Sequence, residues 1–223
     1  MPAEQTIELF NFPGMCGRVA LTALEQAGAD YVFRIVDYFS EASRQTYKDE
    51  VNPTGKFPSA RIGGQVMVEN AAIILYIADR YPDAGLFPAT DDPLQAWLHR
   101  ADMIHCAATL HPVLTRARSP QRIIDGHDQQ IDVRAKAADT LCGLLRPFDD
   151  RLGRNGGFLS GSWSIIDSYL GWIHWVFSQC EVDLSSLPNF RTLCDRLDEW
   201  PAHRRALSLE AAAMAEAGII LPS

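Results

Sequence analysis

Asn52-Pro53-Thr54-Gly55-Lys56-Phe57-Pro58, followed eleven residues later by Glu69-Asn70, is the stretch on which the fold turns. A turn delivers a backbone segment that ends in proline. A cis bond at Phe57-Pro58 would aim the Phe57 N–H and C=O outward, free to pair with an incoming peptide. A trans bond would make the segment an ordinary turn. Gly55 supplies backbone freedom and Lys56 a cation. Ser59 to Ile62 and Val66 to Val68 flank Gly63-Gly64, which signals a hairpin. Glu69-Asn70 then precedes an apolar helix over 71–81 that stops at Pro82. Asn70 is a good N-cap. A helix N-terminus favours an anion, and Glu69 beside it can take an ammonium group. The pair matches the two charges of an α-amino acid. The bland alternative is a simple capped helix.

Working outward, Thr6 to Phe12 alternates and reads as a strand, broken by Pro13-Gly14. Gly17 to Gly28 reads as a helix with Val19, Ala20, Ala23, Leu24 and Ala27 on one face and Gly28 just past its end. A second strand covers Tyr31 to Val36, and a short polar helix Glu41 to Glu50. Residues 1–82 therefore read βαβ followed by αββα, an α/β sandwich. From Pro93 the pattern becomes helical, over about 93–117, 127–152, 164–180, 188–198 and 201–213. The proline-rich, polar stretch 83–92 is the natural linker, and 93–223 the all-helical domain.

With 223 residues, 47% hydrophobic and 22% charged, the composition is that of a soluble globular protein. The net charge of −8 argues against nucleic acid or an anionic membrane surface as partner. No apolar run approaches the length of a membrane-spanning helix. Met1 to Gln5 lacks the pattern of a signal peptide, so a reducing cytoplasm is the expected compartment. The five cysteines are scattered and form no CxxC pair, which speaks against a metal site or a dithiol motif.

The turn, the acidic-plus-cap pair, the βαβ-αββα half and the helical second half together resemble the cytosolic glutathione transferases, over essentially the whole chain. The resemblance implies a thioredoxin-like first domain and a cis proline at Pro58. It implies that Phe57 pairs through its backbone with the cysteinyl part of glutathione, with glutathione as co-substrate. The family's Glu-Ser pair holds the γ-glutamyl end; here it reads Glu69-Asn70, which keeps the backbone N–H but loses the hydroxyl. Gly161-Ser162-Trp163-Ser164-Ile165-Ile166-Asp167 resembles the family's capping box, with Ser164 and Asp167 at the start of a helix. The resemblance also implies a homodimer and a small electrophile admitted between the two domains.

Pro13-Gly14-Met15-Cys16 resembles the N-terminal motif of the bacterial beta class and places Cys16 on that class's cysteine. No serine or tyrosine lies from Phe10 to Ala20, so the usual hydroxyl donors are absent. Near a helix N-terminus the pKa of Cys16 is expected to fall. Cys16 would then donate to the glutathione sulfur, form a mixed disulfide with it, or only pack. Asn11 is a weaker polar candidate nearby. His111-Pro112-Val113-Leu114 is similar to the region where the beta class keeps a histidine facing the thiol. His105, six residues earlier, lies on a different helix face. Pro112 is expected to kink that helix. Arg116, Arg118 and Arg122 read as a solvated helix end, and Trp172, Trp175 and Phe177 as core, with a possible aromatic wall for apolar acceptors. The catalytic candidates are thus Cys16 and His111, and the glutathione-binding candidates Phe57, Pro58, Glu69, Asn70 and Lys56. A thiol–disulfide oxidoreductase using Cys16, and a non-catalytic interaction protein, are the rival functions.

Overall fold

The computed structural model describes residues 6–180 and 182–219. The N-terminal residues read for a signal peptide lie outside them. The chain divides into two compact units, Met1–Leu86 with Pro201–Ser223, and Phe87–Trp200.

The first unit begins β1 (Ile7–Asn11), α1 (Gly17–Ala27), β2 (Tyr31–Ile35) and α2 (Glu41–Glu50). It continues β3 (Ser59–Ile62), β4 (Gln65–Val68) and α3 (Asn70–Arg80). The sheet order is β2-β1-β3-β4, with β1 parallel to β2 and antiparallel to β3. This is a thioredoxin-like sheet. The parallel pair needs a crossover, which α1 supplies. Gly63 and Gly64 both have positive φ, 55° and 80°, as a two-residue hairpin turn with the sheet's own twist requires. Gly28 ends α1 in the left-handed region at φ 57°, where the Ala29 N–H bonds the Leu24 carbonyl at 3.1 Å. Val19, Ala20, Ala23 and Leu24 are buried on α1. On β1, Phe10 packs with Val36 and with Tyr47 of α2.

The final helix, α9 (Pro201–Glu216, counted after the helices named below), groups with this first unit. Its pattern alone groups it with the helical stretch 93–223. The side chains decide otherwise: Arg205 pairs with Glu25 at 2.6 Å and Glu210 with Arg18 at 2.8 Å, both on α1.

The second unit holds α4 (Pro93–His105), α5 (His111–Arg118), α6 (His127–Arg154), α7 (Ile165–Ser178) and α8 (Pro188–Glu199). The expected single helix over 93–117 is interrupted by a wide π-helical turn at Cys106–Leu110, directly before His111-Pro112. Pro112 has no N–H and its ring crowds the carbonyl four residues back, so the ordinary ladder cannot run through it. The core gathers Met103, Leu110, Leu114, Leu141 and Leu145 with Ile166, Tyr169, Leu170 and Phe177 of α7. Trp175 on α7 is 40% exposed, so it does not belong to the core as expected. The expected cap is present. Ser164 N and Oγ both donate to Asp167 Oδ2 at 2.8 Å, and Leu159 N donates to Asp167 Oδ1 at 2.7 Å. Burial pushes the Asp167 carboxyl up to about 6, against those donors.

Candidate functional site

The site on the first unit is built from three chain segments. The loop after β1 turns at Phe12, whose carbonyl accepts the Met15 N–H at 3.1 Å. This delivers Cys16 at the N-cap of α1. The second segment is the turn 52–58. Asn52 Oδ1 accepts from Thr54 N and Oγ1, and Asn52 Nδ2 donates to the Lys56 carbonyl at 2.8 Å. Tyr47 Oη donates to the same carbonyl at 2.8 Å, and its ring stacks on Phe57 at 4.9 Å between centroids. The Phe57-Pro58 bond is cis. The Phe57 carbonyl accepts the Cys16 thiol at 3.6 Å. Asn52 and Tyr47 thus brace the Lys56 backbone, a role the sequence reading missed. The Asn-Pro opening of the turn signals an Asx turn and could have pointed to Asn52. The Lys56 side chain is exposed.

The third segment is the start of α3, where the structure corrects the expected cap. Glu69, not Asn70, occupies the N-cap position, with φ 72° and no cap bond from its side chain. Asn70 is the first helical residue. Its Nδ2 donates to the Cys16 carbonyl at 2.8 Å, so this amide ties α3 to the Cys16 turn instead of capping its own helix. Glu69 is exposed and Asn70 buried. A positive φ at a residue that is not glycine is uncommon and marks a position held by its surroundings.

The Cys16 thiol is pushed up to about 12, the reverse of the expected fall. The first cause is loss of water on burial; the negative charge of Glu69 adds to it. A helix N-terminus contributes typically about 0.3–1 kcal/mol, under one pKa unit, whereas full burial moves a group by up to about 3–5 units. Burial wins, and Cys16 is a protonated thiol at neutral pH. Asn11 is fully buried, with neither amide atom paired among the described residues. It lies against Gly17: a Cβ there would meet Asn11 Oδ1 at 2.4 Å. Asn11 therefore packs beneath the start of α1 and presents nothing to solvent.

On the second unit, His111 meets the Trp172 ring edge-on at 4.8 Å and Tyr169 at 6.5 Å. Burial pushes it down to about 4, so it is a neutral imidazole at pH 7. His105 instead lies against Phe148, at 5.7 Å. The six-residue spacing does separate the two histidines onto different neighbours. Arg118 reaches Gln179 at 3.3 Å. Among the described residues no group of three or more His, Cys, Asp or Glu is placed to hold a metal ion. No described helix is long and apolar enough to cross a membrane.

The four-stranded mixed sheet, with the cis Phe57-Pro58 bond beside Cys16 at the first helix, places the first unit in the thioredoxin-like fold class. Residues 9–85 match the family described as "Glutathione S-transferase, N-terminal domain". The chain is 35% identical to a probable maleylacetoacetate isomerase of Caenorhabditis elegans, over 41% of each chain. It is 26% identical to a maleylpyruvate isomerase of a Ralstonia species, over 90% of this chain and 96% of that one. A sphingomonad glutathione S-transferase complexed with glutathione superposes with a TM-score of 0.77 at 27% identity, over 92% of this chain and 98% of that one. Residues 9–85 are thus a glutathione S-transferase N-terminal domain, and the chain over nearly its whole length has the fold of the glutathione transferases.

Proposed function

We propose that this enzyme binds glutathione on its first unit and presents the sulfur as thiolate to a small, apolar or aromatic electrophile. The observation that carries this is the Cys16 thiol 3.6 Å from the Phe57 carbonyl, next to the cis Pro58. In this reading the Phe57 backbone takes the cysteinyl part of glutathione. Glu69 receives the γ-glutamyl ammonium, the α3 N-terminus at Asn70 its carboxylate, and Lys56 supplies a nearby cation. Cys16, protonated at pH 7, swings from the Phe57 carbonyl to donate to the incoming sulfur and so lowers its pKa. Lowering a thiol by about 2 units takes roughly 2.7 kcal/mol of differential stabilisation, within reach of one good donor and the helix N-terminus. His111, neutral and edge-on to Trp172, serves the acceptor as a proton partner beside an aromatic wall. A pKa near 12 counts against Cys16 as the nucleophile of a disulfide route.

A second reading has support in the relatives named as isomerases. The thiolate would add to a conjugated cis double bond, the bond would rotate, and elimination would release the trans isomer with glutathione regenerated. Product analysis separates the two, since conjugation consumes glutathione and isomerisation does not.

We also assign a homodimer. Leu94, Trp97, Leu98 and Ile104 make one exposed apolar stripe along α4, with Leu94 67% and Trp97 64% exposed. The stripe spans over two turns at helical spacing, the pattern of a face made to be covered by a second copy. Trp97→Glu should give monomers in sedimentation equilibrium; an unchanged mass would refute the assignment. For the glutathione site, calorimetry on Glu69→Ala should show at least tenfold weaker binding, and unchanged affinity would sink it.

A further inference from the structure

Glu210, in the second half of α9, is buried at 3% exposure. Its two oxygens go to two different places. Oε1 accepts the Gly14 N–H at 3.1 Å, and Oε2 pairs with Arg18 Nε at 2.8 Å. Gly14 and Arg18 stand two residues before and two residues after Cys16. Gly14 has φ 81°, so the loop there has a conformation that glycine alone adopts readily. One carboxylate therefore bridges the loop and the first turn of α1 across the residue that faces the Phe57 carbonyl.

An ion pair in this setting is a poor way to gain stability, because the desolvation of both charges offsets their attraction. Burial does raise the Glu210 carboxyl, against Arg18 and the Gly14 N–H. What the pair does provide is direction: it ties the Gly14 backbone and the Arg18 side chain to one carboxylate, on either side of Cys16. We infer that Glu210 is a positioning residue for the thiol site, through which the C-terminal helix holds the Gly14–Arg18 segment in register with Phe57. The inference rests on the reading of Cys16 as donor to the glutathione sulfur. The α9–α1 contact has a second polar anchor, Arg205 with Glu25, whose N–H groups reach Glu25 Oε2 at 2.6 Å and the Glu25 carbonyl at 2.8 Å. That anchor sits at the far end of α1 and touches none of the site segments, which makes it the control.

The test compares Glu210→Gln, Glu210→Leu and Arg205→Gln in the full chain. Two readouts are taken, alkylation of Cys16 followed by peptide mass spectrometry, and the kcat and KM for glutathione with a chromogenic aryl halide. Glu210→Leu should raise Cys16 alkylation about tenfold or more and lower kcat about tenfold or more, with KM for glutathione within about threefold. Glu210→Gln, which keeps an acceptor for the Gly14 N–H, should fall between Glu210→Leu and the parent. Arg205→Gln should lower the melting temperature while leaving alkylation and kcat within about twofold. The inference is overturned if Glu210→Leu and Arg205→Gln, compared at equal distance below their melting temperatures, alkylate alike and lose kcat alike. The alkylation arm needs no ligand. If adding glutathione to the parent produces no thiolate absorbance near 240 nm, the glutathione reading fails while the alkylation arm still decides whether Glu210 brackets Cys16.

Discussion

Cys16 should be among the least reactive cysteines of the chain, although it sits at a helix N-terminus beside the proposed thiol site. A free thiol near 8.5 is about 3% ionised at pH 7, whereas one near 12 is ionised to about one part in 10⁵. The loss is about 3.5 orders of magnitude. The more basic thiolate recovers part of it: with a Brønsted slope of about 0.45, intrinsic nucleophilicity rises by about 1.6 orders. The net expectation is reaction about a hundredfold slower than the same cysteine in the unfolded chain. The assay is a small aromatic disulfide reagent, with modification followed peptide by peptide in buffer and in urea. The native rate should climb about tenfold per pH unit from 7 to 10 without levelling. A native rate within threefold of the unfolded one, or a plateau below pH 8, would refute the argument that burial overrides the helix terminus. The donor role adds a second discriminator. Cys16→Ser keeps an O–H donor and should retain conjugation within about tenfold, whereas Cys16→Ala should lose more. A nucleophilic cysteine would lose activity equally in both.

The remaining expectations concern other groups. His111 is held near 4 in the folded state against about 6.5 unfolded, so the unfolded chain binds the extra proton first. Stability is then full above about pH 6.5 and lost as pH falls toward 4, by up to about 3 kcal/mol. His111→Gln should remove that slope in urea titrations. The raised carboxyls of Asp167 and Glu210 act in the opposite sense and are common to both proteins, so a shared slope would count against His111. Asp167→Ala leaves the Leu159 N–H and the Ser164 N–H without their acceptor and should destabilise by about 1–3 kcal/mol in chemical denaturation. Gly17→Ala places a methyl 2.4 Å from the Asn11 amide, so it should destabilise by about 1–3 kcal/mol despite the better helix propensity of alanine. Asn11→Ala should rescue it in the double variant, and no rescue would show that the clash lies elsewhere.

Taken alone, the sequence was enough for the first sheet, the hairpin, the helical second half and the likeness to the glutathione transferases. Each rests on local signals: alternation in 6–12, glycines at 63–64 and 28, and the turn 52–58. Local chemistry and short-range periodicity are carried by neighbouring residues, so they can be read without knowing what packs on them. Three things were decided only by the tertiary structure. Asn70 reads as a cap, but its amide is spent on the Cys16 carbonyl, contributed by a chain segment 54 residues away. Cys16 reads as an activated thiol, but burial outweighs the helix terminus and keeps it protonated. The helix at 201–216 reads as part of the helical half, but Glu210 reaches back 196 residues to the Gly14 N–H. In each case the outcome depends on desolvation and long-range pairing, and neither is a property of any short stretch of sequence.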